Sequence, residues 1–585
     1  MTILGISLTH DGTVSIIKNG KHYFSIAEER LNRRKAYIGF PFEGLRYLIN
    51  SNIIKPSEID IVAVSSSVFL KNWAFTFAFQ LTENKMYYDL QNEQKPSNFY
   101  IHDKEYLEIK TDKDCKAYVD RKIKKLLETV GINCKIQYVD HHLSHAASAY
   151  YSSGFNEALS VTMDGEGDLL SATVNICKNG KINKISETSN KHSAGYLYSE
   201  VTRRCGYKIS RHEGKITGLA AYGDYKKHEE CFDNLTSVVN GKLEYKDRVN
   251  RSFINKIKNK VLNLIGRNFY MGHQELINRC DTLSNKDLSA SIQNHLEKRI
   301  VEIIRFWKDK TGIGKIVLSG GIFANVKFNQ LISEIEGVDG TYIFPCMGDG
   351  GNAYGAAIYT YFKKRDFDPI KNKIQNVYLG PSFDNEYVFN MLKNNDKIEF
   401  YKSHNIPQET AQLISEGKII GWFQGRMEYG PRALGNRSVL ASPVDRDINK
   451  WLNERMKRTE FMPFAPSCLN EKADEVFELS GEFLKFPAEF MTITFKMKQE
   501  WVERAPAVAH IDDTARPQLV TEESNPKYYR LLQEYYKITG LPLIINTSFN
   551  VHEEPIVCTP EEGLQPLLNS VIDVFVCEDY ICKLK

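Results

Sequence analysis

A strand–turn–strand pattern that occurs twice places the strongest constraint on the fold of this chain. In each copy, three short β-rich runs are separated by turns, and the turn Asn19-Gly20 of the first copy is typical of a β-hairpin. The runs are residues 3–7, 13–18 and 22–27 in the first copy, and 159–164, 167–177 and 181–186 in the second. Two copies of one pattern within a single α/β region predict two related lobes, each opening with a hairpin.

A charged segment that ends at a proline divides the 585-residue chain. Residues 363–369 read Lys-Lys-Arg-Asp-Phe-Asp-Pro, a composition typical of linkers between domains. Beyond residue 377 helical and strand-like patterns alternate again, which indicates a second α/β domain. We therefore predict a first domain over residues 1–362, a linker over 363–376 and a second domain over 377–585.

The composition is that of a folded globular protein, and it excludes several classes of function. Apolar residues make up 42% and charged residues 25%, and 76 basic against 73 acidic side chains leave a net charge of only +3. So small a charge argues against non-specific binding to nucleic acid or to a membrane surface. No apolar run approaches the roughly 18 residues of a membrane span, and the N-terminus does not read as a secretory signal. The 11 scattered cysteines are typical of free thiols, so we expect a cytoplasmic protein.

A histidine-rich segment over residues 140–149 is the first candidate for a chemical site. His141 and His145 are four residues apart, so on a helix both imidazoles leave the same face and can bind one metal ion. Asp164 and Asp349, each in a glycine-rich turn, are candidate oxygen ligands. Two histidines with carboxylates suit iron, manganese or zinc, and the sequence does not choose among them. Buried or capping histidines with a purely structural role are the alternative.

Glycine-rich turns form a second set of candidates, for binding the phosphates of ATP. Gly165 joins two strands of the second hairpin pattern, and Gly320 and Gly321 begin a segment, ending at Asn325, that joins a short strand to a helix. Backbone amides in such turns can bind phosphate oxygens, although most glycine turns are structural. The order of hairpin, hairpin and Gly-Gly turn resembles the two-lobed arrangement of actin-like ATPases, in which loops from both lobes close on a nucleotide.

An arginine-rich loop marks the second domain. Residues 425–438 carry three arginines among glycines, and guanidinium groups match the oxygens of phosphates and carboxylates. A solvated basic turn is the alternative. Further along, Arg516 lies in a Thr-Ala-Arg-Pro-Gln run, and residues 546–550 form a polar cluster directly after the apolar strand 541–545. Because polar groups at the carboxyl end of a strand commonly line α/β sites, these segments predict an anion site.

These motifs occur in one order along nearly the whole chain, and together they resemble the O-carbamoyltransferases of the NodU/CmcH type, which modify antibiotics and nodulation factors. The motifs are His10-Asp11, Glu28-Glu29-Arg30, His141-His142-Leu143-Ser144-His145-Ala146-Ala147, residues 214–223 (Gly-Lys-Ile-Thr-Gly-Leu-Ala-Ala-Tyr-Gly), Gly320-Gly321, residues 430–438 (Gly-Pro-Arg-Ala-Leu-Gly-Asn-Arg-Ser) and Asn546-Thr547-Ser548-Phe549-Asn550. The resemblance implies an actin-like (ASKHA-type) metal-containing domain followed by a YrdC-like α/β domain.

The resemblance also implies a reaction and its residues. The second domain would convert carbamoyl phosphate to carbamate and join it to AMP from ATP with Mg²⁺. The first would pass the carbamoyl group from carbamoyl adenylate to a hydroxyl group of a small-molecule natural product. The implied residues are His141, His145, Asp164 and Asp349 as ligands of a divalent metal, usually Fe²⁺; His10 as the catalytic histidine; Lys35 for the nucleotide phosphates; and Arg432, Arg437, Lys457, Arg516, Asn546 and Ser548 for carbamoyl phosphate and nucleotide. A hydroxyl group is a weak nucleophile, so a histidine acting as general base is useful.

The segment before the Pro-Phe-Ala-Pro-Ser run departs from the family pattern. Met462 occupies the position of the usual arginine, and the residues before it are one short, so Arg458 is an alternative to Lys457. A lost arginine weakens phosphate binding, since a hydrogen bond to a charged group contributes roughly 1.5–3 kcal/mol. At a second position, Ala36 replaces the usual histidine.

The sequence leaves the acceptor and two other functions open. We expect the acceptor pocket in the divergent residues 84–114 and 225–285, which do not identify the acceptor. One alternative is an enzyme of the threonylcarbamoyl-adenylate type that acts on tRNA, although the near-neutral charge argues against it. The other is a non-catalytic, actin-like nucleotide-binding module. The oligomeric state also stays open, a homodimer included.

Overall fold

The computed structural model describes residues 1–8, 10–68, 109–228, 230–233, 235–246, 280, 282–456, 463–479, 481–551 and 553–585. The strands are β1 (Thr2–Ser7), β2 (Thr13–Lys18), β3 (Lys21–Ala27), β4 (Ile61–Val64), β5 (Lys135–Tyr138), β6 (Glu157–Gly167), β7 (Leu170–Lys178), β8 (Lys181–Ser189), β9 (Thr236–Val239), β10 (Lys242–Tyr245), β11 (Lys315–Ser319), β12 (Gly340–Ile343), β13 (Ile398–Lys402), β14 (Ile420–Phe423), β15 (Arg437–Ala441), β16 (Ala465–Leu469), β17 (Phe495–Lys496), β18 (Thr514–Ala515), β19 (Gln518–Val520), β20 (Leu543–Ser548), β21 (Val574–Cys577) and β22 (Tyr580–Leu584).

The α-helices are α1 (Glu29–Asn32), α2 (Phe42–Asn50), α3 (Asp112–Thr129), α4 (His141–Ser153), α5 (Ala194–Arg204), α6 (Glu213–Ala220), α7 (Glu230–Asp233), α8 (Asn285–Thr311), α9 (Val326–Ser333), α10 (Asn352–Phe362), α11 (Pro369–Asn372), α12 (Asn385–Leu392), α13 (Ile406–Ser415), α14 (Ile448–Arg455), α15 (Ala473–Val476), α16 (Lys485–Ala488), α17 (Gln499–Arg504), α18 (Pro526–Thr539) and α19 (Pro560–Leu568). Within the described part of the chain, no helix has both the length and the apolar character needed to span a membrane.

The two sheets of the N-terminal part have the same topology. The first has the strand order β3-β2-β1-β4-β5, and the second, taken from the corresponding edge, has the order β8-β7-β6-β11-β12. In the first, β1 to β3 are antiparallel and β4 and β5 run parallel to β1. In the second, β6 to β8 are antiparallel and β11 and β12 run parallel to β6. This duplication confirms the predicted α/β arrangement in two related lobes. We call the first sheet with its helices lobe I and the second lobe II.

Small residues let two helices approach closely between the lobes. Helix α4 packs against β6 and β11 of lobe II, α10 packs against β1 of lobe I, and the two helices contact each other. A Cβ atom at Gly355 would lie 1.9 Å from the carbonyl oxygen of Ser144, and one at Gly5 would lie 1.9 Å from that of Ala353. These two glycines therefore permit the close approach that places α4, with its histidine pair, between the sheets.

The C-terminal part of the chain forms a sheet of its own. Its strand order is β13-β22-β21-β14-β15-β20-β16-β19, with both parallel and antiparallel neighbours. The largest apolar cluster of this part is formed by side chains of residues 388–582 and includes the fully buried Trp422. Burying an apolar cluster of its own is what allows a region of a chain to fold as a separate layer.

Residues 553–556 of the C-terminal part contact both lobes. Arg33 of lobe I donates hydrogen bonds to the carbonyl oxygens of Pro555 and Ile556, each at 2.8 Å. The carboxylate of Glu553 lies 3.2 Å from Nζ of Lys208 and 2.7 Å from Nε2 of His212, both in lobe II. These contacts bind the C-terminal part to the two lobes together.

Candidate metal and anion sites

Helix α4 presents His141 and His145 to two aspartates on neighbouring turns. Asp164 lies near the irregular end of β6, and Asp349 lies in the turn before α10. The Nε2 atom of His145 lies 3.1 Å from Oδ2 of Asp164 and 3.4 Å from Oδ1 of Asp349. The Nε2 atom of His141 lies 3.6 and 3.4 Å from the same two oxygens. The structure therefore brings the four predicted ligands together, with their ligand atoms within 4.8 Å of one another.

The geometry of this cluster fits a bound divalent cation. Neighbouring nitrogen and oxygen ligands bound about 2.0–2.2 Å from a tetrahedral or octahedral metal lie about 2.8–3.6 Å from each other. The four distances between the histidine nitrogens and the aspartate oxygens fall within that range. In addition, Nε2 of His141 is buried and makes no hydrogen bond to any residue that the structure describes, as expected of a nitrogen whose partner is a cation. Two imidazoles with two carboxylates suit several divalent transition metals.

The charges of the cluster favour a bound cation. Burial lowers the pKa of His141, but the carboxylates of Asp349 and Asp164 outweigh this effect and raise it to about 9. Burial raises the pKa of Asp164, but its interactions with His141 and His145 hold it well below the ordinary value. The site thus attracts positive charge, which protons supply in the metal-free protein and a cation would supply in their place.

Neighbouring side chains hold the ring of His145 and the backbone of His141 in place. The Nδ1 atom of His145 lies 3.1 Å from the hydroxyl oxygen of Ser319, at the end of β11. The backbone N–H of His141 donates to Asp168 at 2.9 Å, and Asp168 also accepts a hydrogen bond from Ser66 at 2.8 Å. Ser66 follows β4, so Asp168 links lobe I to the first turn of α4. Such outer contacts fix the tautomer and the ring position of a metal ligand.

His142 turns away from the cluster, as its position on the helix predicts. Its Nδ1 atom lies 2.8 Å from the hydroxyl of Thr162, and its Nε2 atom lies 3.1 Å from the carbonyl oxygen of Leu170. Burial lowers its pKa to about 3. His142 is therefore a neutral core residue.

His10 lies at the hairpin turn of lobe I, close to the metal cluster. Its Nδ1 atom lies 3.0 Å from Oδ2 of Asp11. Burial lowers the pKa of His10, but Asp11 and, with smaller effects, Asp349 and Asp164 outweigh it and raise the pKa to about 9. A Cβ atom at Gly350 would lie 3.6 Å from the Cβ of Asp11. The hairpin turn of lobe I therefore faces the Asp349 turn across the cleft.

The predicted phosphate-binding glycines lie against the metal cluster. Gly320 has a φ of +109°, and a Cβ atom there would lie 2.1 Å from the carbonyl oxygen of Met163. A Cβ atom at Gly321 would lie 3.0 Å from Oδ1 of Asp164, and the N–H of Gly165 donates to that carboxylate at 2.7 Å. The turns are thus built around Asp164, which places their backbone beside the cation site.

Asn325 and Lys35, the other residues predicted to contact ATP, have defined places in the two lobes. The side-chain oxygen of Asn325 caps α9 by accepting hydrogen bonds from the N–H groups of Lys327 and Phe328. Its amide nitrogen donates to Gln293 at 2.8 Å. These contacts show that Asn325 stabilises the start of α9, and its contact with ATP stays a prediction. The carbonyl oxygen of Lys35 accepts a hydrogen bond from Arg211 at 2.9 Å, so this segment joins lobe I to lobe II.

Glu428 organises the arginine-rich loop. Its Oε1 atom accepts hydrogen bonds from the backbone N–H groups of Leu434, Asn436 and Arg437 at 2.8, 2.8 and 3.1 Å. One carboxylate oxygen with three N–H donors closes the loop into a fixed turn. The backbone of the loop is therefore held in place from within.

The arginine-rich loop contacts the turn that contains Asp349. The hydroxyl of Tyr429 donates a hydrogen bond to the carbonyl oxygen of Gly350, the residue after Asp349. Arg30 of lobe I donates to the carbonyl oxygen of Gly430 at 3.1 Å. The arginine-rich loop of the C-terminal part and the Asp349 turn of the N-terminal part are thus in contact.

Arg437 lies in the core of the loop, which does not support its predicted contact with carbamoyl phosphate. Its side chain is fully buried, and its guanidinium lies 3.6 Å from the ring centre of Phe423. Its terminal nitrogens donate to four backbone carbonyl oxygens, those of Gln424, Asn436, Pro381 and Gly425. With these donors in use, Arg437 stabilises the loop.

The other predicted anion-site residues lie around the same loop and in a nearby cavity. Arg432 is half-buried on the loop, and the amide nitrogen of Asn546 lies 3.3 Å from the carbonyl oxygen of Ala433. The Oδ1 atom of Asn546 is buried without a hydrogen-bond partner. Ser548 donates to Asn550 at 2.6 Å, and Arg516 lines a cavity of about 210 Å³ between lobe II and the C-terminal part.

Comparison with known families identifies the relatives of this architecture. Residues 2–358 match the family described as "Carbamoyltransferase N-terminus", and residues 411–583 match "Carbamoyltransferase C-terminus". The chain belongs to the carbamoyltransferase family. This assignment confirms the predicted resemblance and the prediction of a carbamoyl-transferring enzyme.

Two curated relatives of this carbamoyltransferase match nearly the whole chain. An uncharacterised protein of Methanocaldococcus jannaschii is 32% identical over 100% of this chain and 99% of its own length. The nodulation protein NolNO of Sinorhizobium fredii is 30% identical over 98% of this chain and 79% of its own. Among solved structures, full-length HypF in its phosphate- and nucleotide-bound form is 24% identical over 32% of this chain and 23% of its own, with a TM-score of 0.23.

Three residues that were not predicted from the sequence shape the sites of this carbamoyltransferase. Asp168 holds the start of α4, Glu428 holds the arginine-rich loop, and the amide of Asn352 lies 3.1 Å from Nε2 of His145. A signal was present for two of them, since Glu428 is the lone acid among three arginines and Asn352 follows Asp349 in one turn. Four earlier predictions concern residues wholly or partly outside the described residues: those on Lys457, Met462, 84–114 and 225–285.

Proposed function

We propose that this enzyme is an ATP-dependent O-carbamoyltransferase that forms carbamoyl adenylate from carbamoyl phosphate and ATP. The observation that carries the proposal is the contact between the arginine-rich loop and the Asp349 turn, made by Tyr429 and Gly350. Free carbamate and its adenylate are short-lived in water, so two sites that share a wall suit a reaction that passes a labile group between them.

In the proposed reaction, each of two domains carries out one half-reaction. Residues 1–362 bind metal and ATP and carry out transfer, residues 363–376 form the linker, and residues 377–585 form carbamoyl adenylate as a YrdC-like domain. The separate apolar core of residues 388–582 supports an independent C-terminal unit. The duplicated sheets of the N-terminal part support a nucleotide cleft between two lobes.

Several residues have proposed roles in the first half-reaction. Arg432 and Arg516 bind the phosphate of carbamoyl phosphate and stabilise the charge that develops as it leaves. Asn546 and Ser548 orient the carbamoyl group, and the buried, unpartnered Oδ1 of Asn546 supports such a contact. Lys457 completes the proposed set. The glycines of the cleft, with Lys35, bind the phosphates of ATP with its Mg²⁺.

Transfer to the acceptor takes place in the cleft. A divalent cation held by His141, His145, Asp164 and Asp349, which we propose is Fe²⁺, supplies positive charge that binds oxygen atoms and offsets the two carboxylates. His10 accepts the proton of the acceptor hydroxyl as general base. Its raised pKa in the metal-free protein comes partly from those same carboxylates, so offsetting their charge moves the pKa back toward the range a base needs.

We propose a hydroxylated small-molecule natural product as the acceptor. The support is the similarity to proteins named for nodulation, since the chain is 30% identical to NolNO and 25% identical to a nodulation protein U of Sinorhizobium fredii. A panel of hydroxylated compounds, analysed by mass spectrometry for the gain of one carbamoyl group, tests this part of the proposal.

Exchange of labelled pyrophosphate into ATP tests adenylate formation without knowledge of the acceptor. We expect exchange that requires carbamoyl phosphate. His10→Ala should retain the exchange and lose transfer, because His10 acts after adenylate formation. Arg432→Ala should lose the exchange and keep its metal content. Absence of carbamoyl phosphate-dependent exchange in the metal-loaded wild-type protein would contradict the proposed reaction.

A further inference from the structure

A cavity between lobe II and the C-terminal part contains a histidine that has no role in the proposed reaction so far. The cavity has a volume of about 210 Å³. Helices α6 and α8 contribute Thr217 and Gln293 to its wall, and the C-terminal part contributes Val508, His510 and Arg516. His510 therefore lines the same cavity as an arginine proposed to bind carbamoyl phosphate.

A tight turn and a carboxylate fix the position of the His510 ring. The N–H of His510 donates to the carbonyl oxygen of Thr514 at 2.9 Å, and Asp513 between them has a φ of +60°. The Nδ1 atom of His510 lies 3.0 Å from Oδ1 of Asp512. The same oxygen accepts hydrogen bonds from the N–H and the hydroxyl of Thr514 at 3.1 and 2.6 Å. The imidazole is therefore oriented by a carboxylate that is itself held in place.

The hydrogen bond to Asp512 determines which ring nitrogen is free to accept a proton. Burial raises the pKa of Asp512, but the hydrogen bonds from His510 and Thr514 outweigh it and hold the pKa below its ordinary value. An ionised carboxylate only accepts hydrogen bonds, so Nδ1 of His510 carries the proton and Nε2 has a lone pair. That Nε2 atom is buried and has no hydrogen-bond partner among the described residues, while the His510 side chain is 13% exposed.

The charged groups around the cavity fit a phosphate-containing ligand. Arg516 and Lys327 supply positive charge, and Glu297 and Asp512 are the carboxylates of the lining. Asp512 is engaged by His510 and Thr514, as described above. Glu297 accepts a hydrogen bond from Gln293 at 2.9 Å. The two cations therefore face a cavity whose carboxylates have partners of their own.

We propose that His510, oriented by Asp512, is the general base that cleaves carbamoyl phosphate in the C-terminal site. This inference rests on the proposed function. In the step, Nε2 takes one proton from a water molecule, and the water oxygen bonds to the carbamoyl carbon. The C–O bond to phosphate then breaks. The second water proton leaves with the phosphate, so the products are carbamate, HPO₄²⁻ and protonated His510, which returns its proton to solvent. Arg516 binds the departing phosphate.

Phosphate release from carbamoyl phosphate tests the step in the full-length protein. After subtraction of spontaneous decomposition, we expect His510→Ala to release phosphate at least about 100-fold more slowly than wild type, the usual contribution of a general base. Added imidazole should restore release in His510→Ala but not in Arg516→Ala. In water labelled with ¹⁸O, the phosphate released by wild type should contain no label, because the C–O bond breaks. Labelled phosphate would overturn the step as written.

A second measurement separates a lost base from a lost fold. Ammonium bicarbonate solutions contain carbamate, so His510→Ala should lose pyrophosphate exchange driven by carbamoyl phosphate but retain exchange driven by ammonium bicarbonate. His510→Gln, which keeps most of the side-chain volume, should behave the same way, and exposed His404→Gln should match wild type. If both His510 variants lose both exchanges, or if phosphate release equals that of wild type, the role of His510 is wrong. Failure of both exchanges in wild type would instead overturn the proposed function.

Discussion

Two arginines of one loop illustrate how burial decides the role of a charged side chain. Arg437 is fully buried and donates to four backbone carbonyl oxygens, while Arg432 remains half-buried on the loop. Burial lowers the pKa of Arg437, partly offset by Glu428. A buried charge costs free energy unless hydrogen bonds compensate it, so Arg437 and its four carbonyl partners stabilise the loop only as a unit.

Replacement of these arginines by methionine should separate stability from binding. Arg437→Met removes a donor from four carbonyl oxygens, of which those of Asn436 and Pro381 keep a backbone N–H donor. Because the carbonyl oxygens of Gln424 and Gly425 lose the donor that Arg437 supplies, we expect the free energy of unfolding to fall by about 2 kcal/mol or more. Arg432→Met should change it by less than about 1 kcal/mol and abolish the use of carbamoyl phosphate. Urea unfolding and pyrophosphate exchange measure the two effects. An Arg437→Met protein with wild-type stability but no exchange would return Arg437 to the ligand site.

The turn after β11 shows how an element fixes the geometry of a site at a distance from its ligands. Gly320 has a φ of +109° and lies against the backbone of Met163, the residue before Asp164. Two strands of lobe II, β6 and β11, pair up to this point through Thr162 and Ser319. Close packing of the turn against β6 therefore determines where the Asp164 carboxylate lies.

Gly320→Ala should reduce metal binding because its Cβ atom would lie 2.1 Å from the carbonyl oxygen of Met163. The matched control is Gly206→Ala, since Gly206 has a φ of +82° but no atom within 4 Å of an added Cβ. The control should cost about 1–2 kcal/mol of stability from backbone strain alone, with unchanged metal content. Metal per chain, measured by mass spectrometry after loading, should fall only in Gly320→Ala. Equal metal content in both variants would show that the turn does not position Asp164.

Buried titratable groups distributed over the molecule act on its stability with opposite signs. Burial lowers the pKa values of His22, His142 and His295 to about 3. Each of them binds a proton in the unfolded chain below about pH 6.5 but not in the folded chain, so acid reduces stability. Burial raises the pKa values of Glu28 and Glu489 to about 7, so these groups stabilise the folded chain as the pH falls from 7 toward 4.5. The net slope is therefore smaller than the histidines alone would give.

Removal of one buried histidine isolates its contribution. As the pH falls from 6.5 to 4.5, the unfolded wild-type chain binds a proton at His295 that the folded chain does not bind. His295→Gln removes this difference, so its free energy of unfolding should rise relative to that of wild type by about 1.4 kcal/mol for each pH unit of the fall. Urea unfolding at several pH values measures this slope. His404→Gln controls for loss of a histidine from the exposed surface. A constant difference between His295→Gln and wild type over this range would contradict the burial effect on His295.

The two lobes and the metal-binding histidine pair could be predicted from local sequence patterns. The hairpin pattern predicts both lobes, and the four-residue spacing of His141 and His145 predicts that their rings share a face, because both depend on local geometry. The role of Arg437 could not be predicted, since its partners are carbonyl oxygens that only the folded loop brings together. The anchoring of α4 by Asp168 likewise depends on contact between lobes. The charge of Arg437 suggested a contact with a ligand, but its burial favours a role in holding the loop together.

The contacts of residues 553–556 with both lobes have a mechanical consequence. Because residues 553–556 are bound to lobe I and to lobe II at once, they oppose rotation of one lobe against the other. A rotation that opens the cleft between the lobes must break either the hydrogen bonds of Arg33 or the contacts of Glu553 with Lys208 and His212. If the proposed function is correct, opening of the cleft to release nucleotide would therefore also loosen the C-terminal part from the lobes.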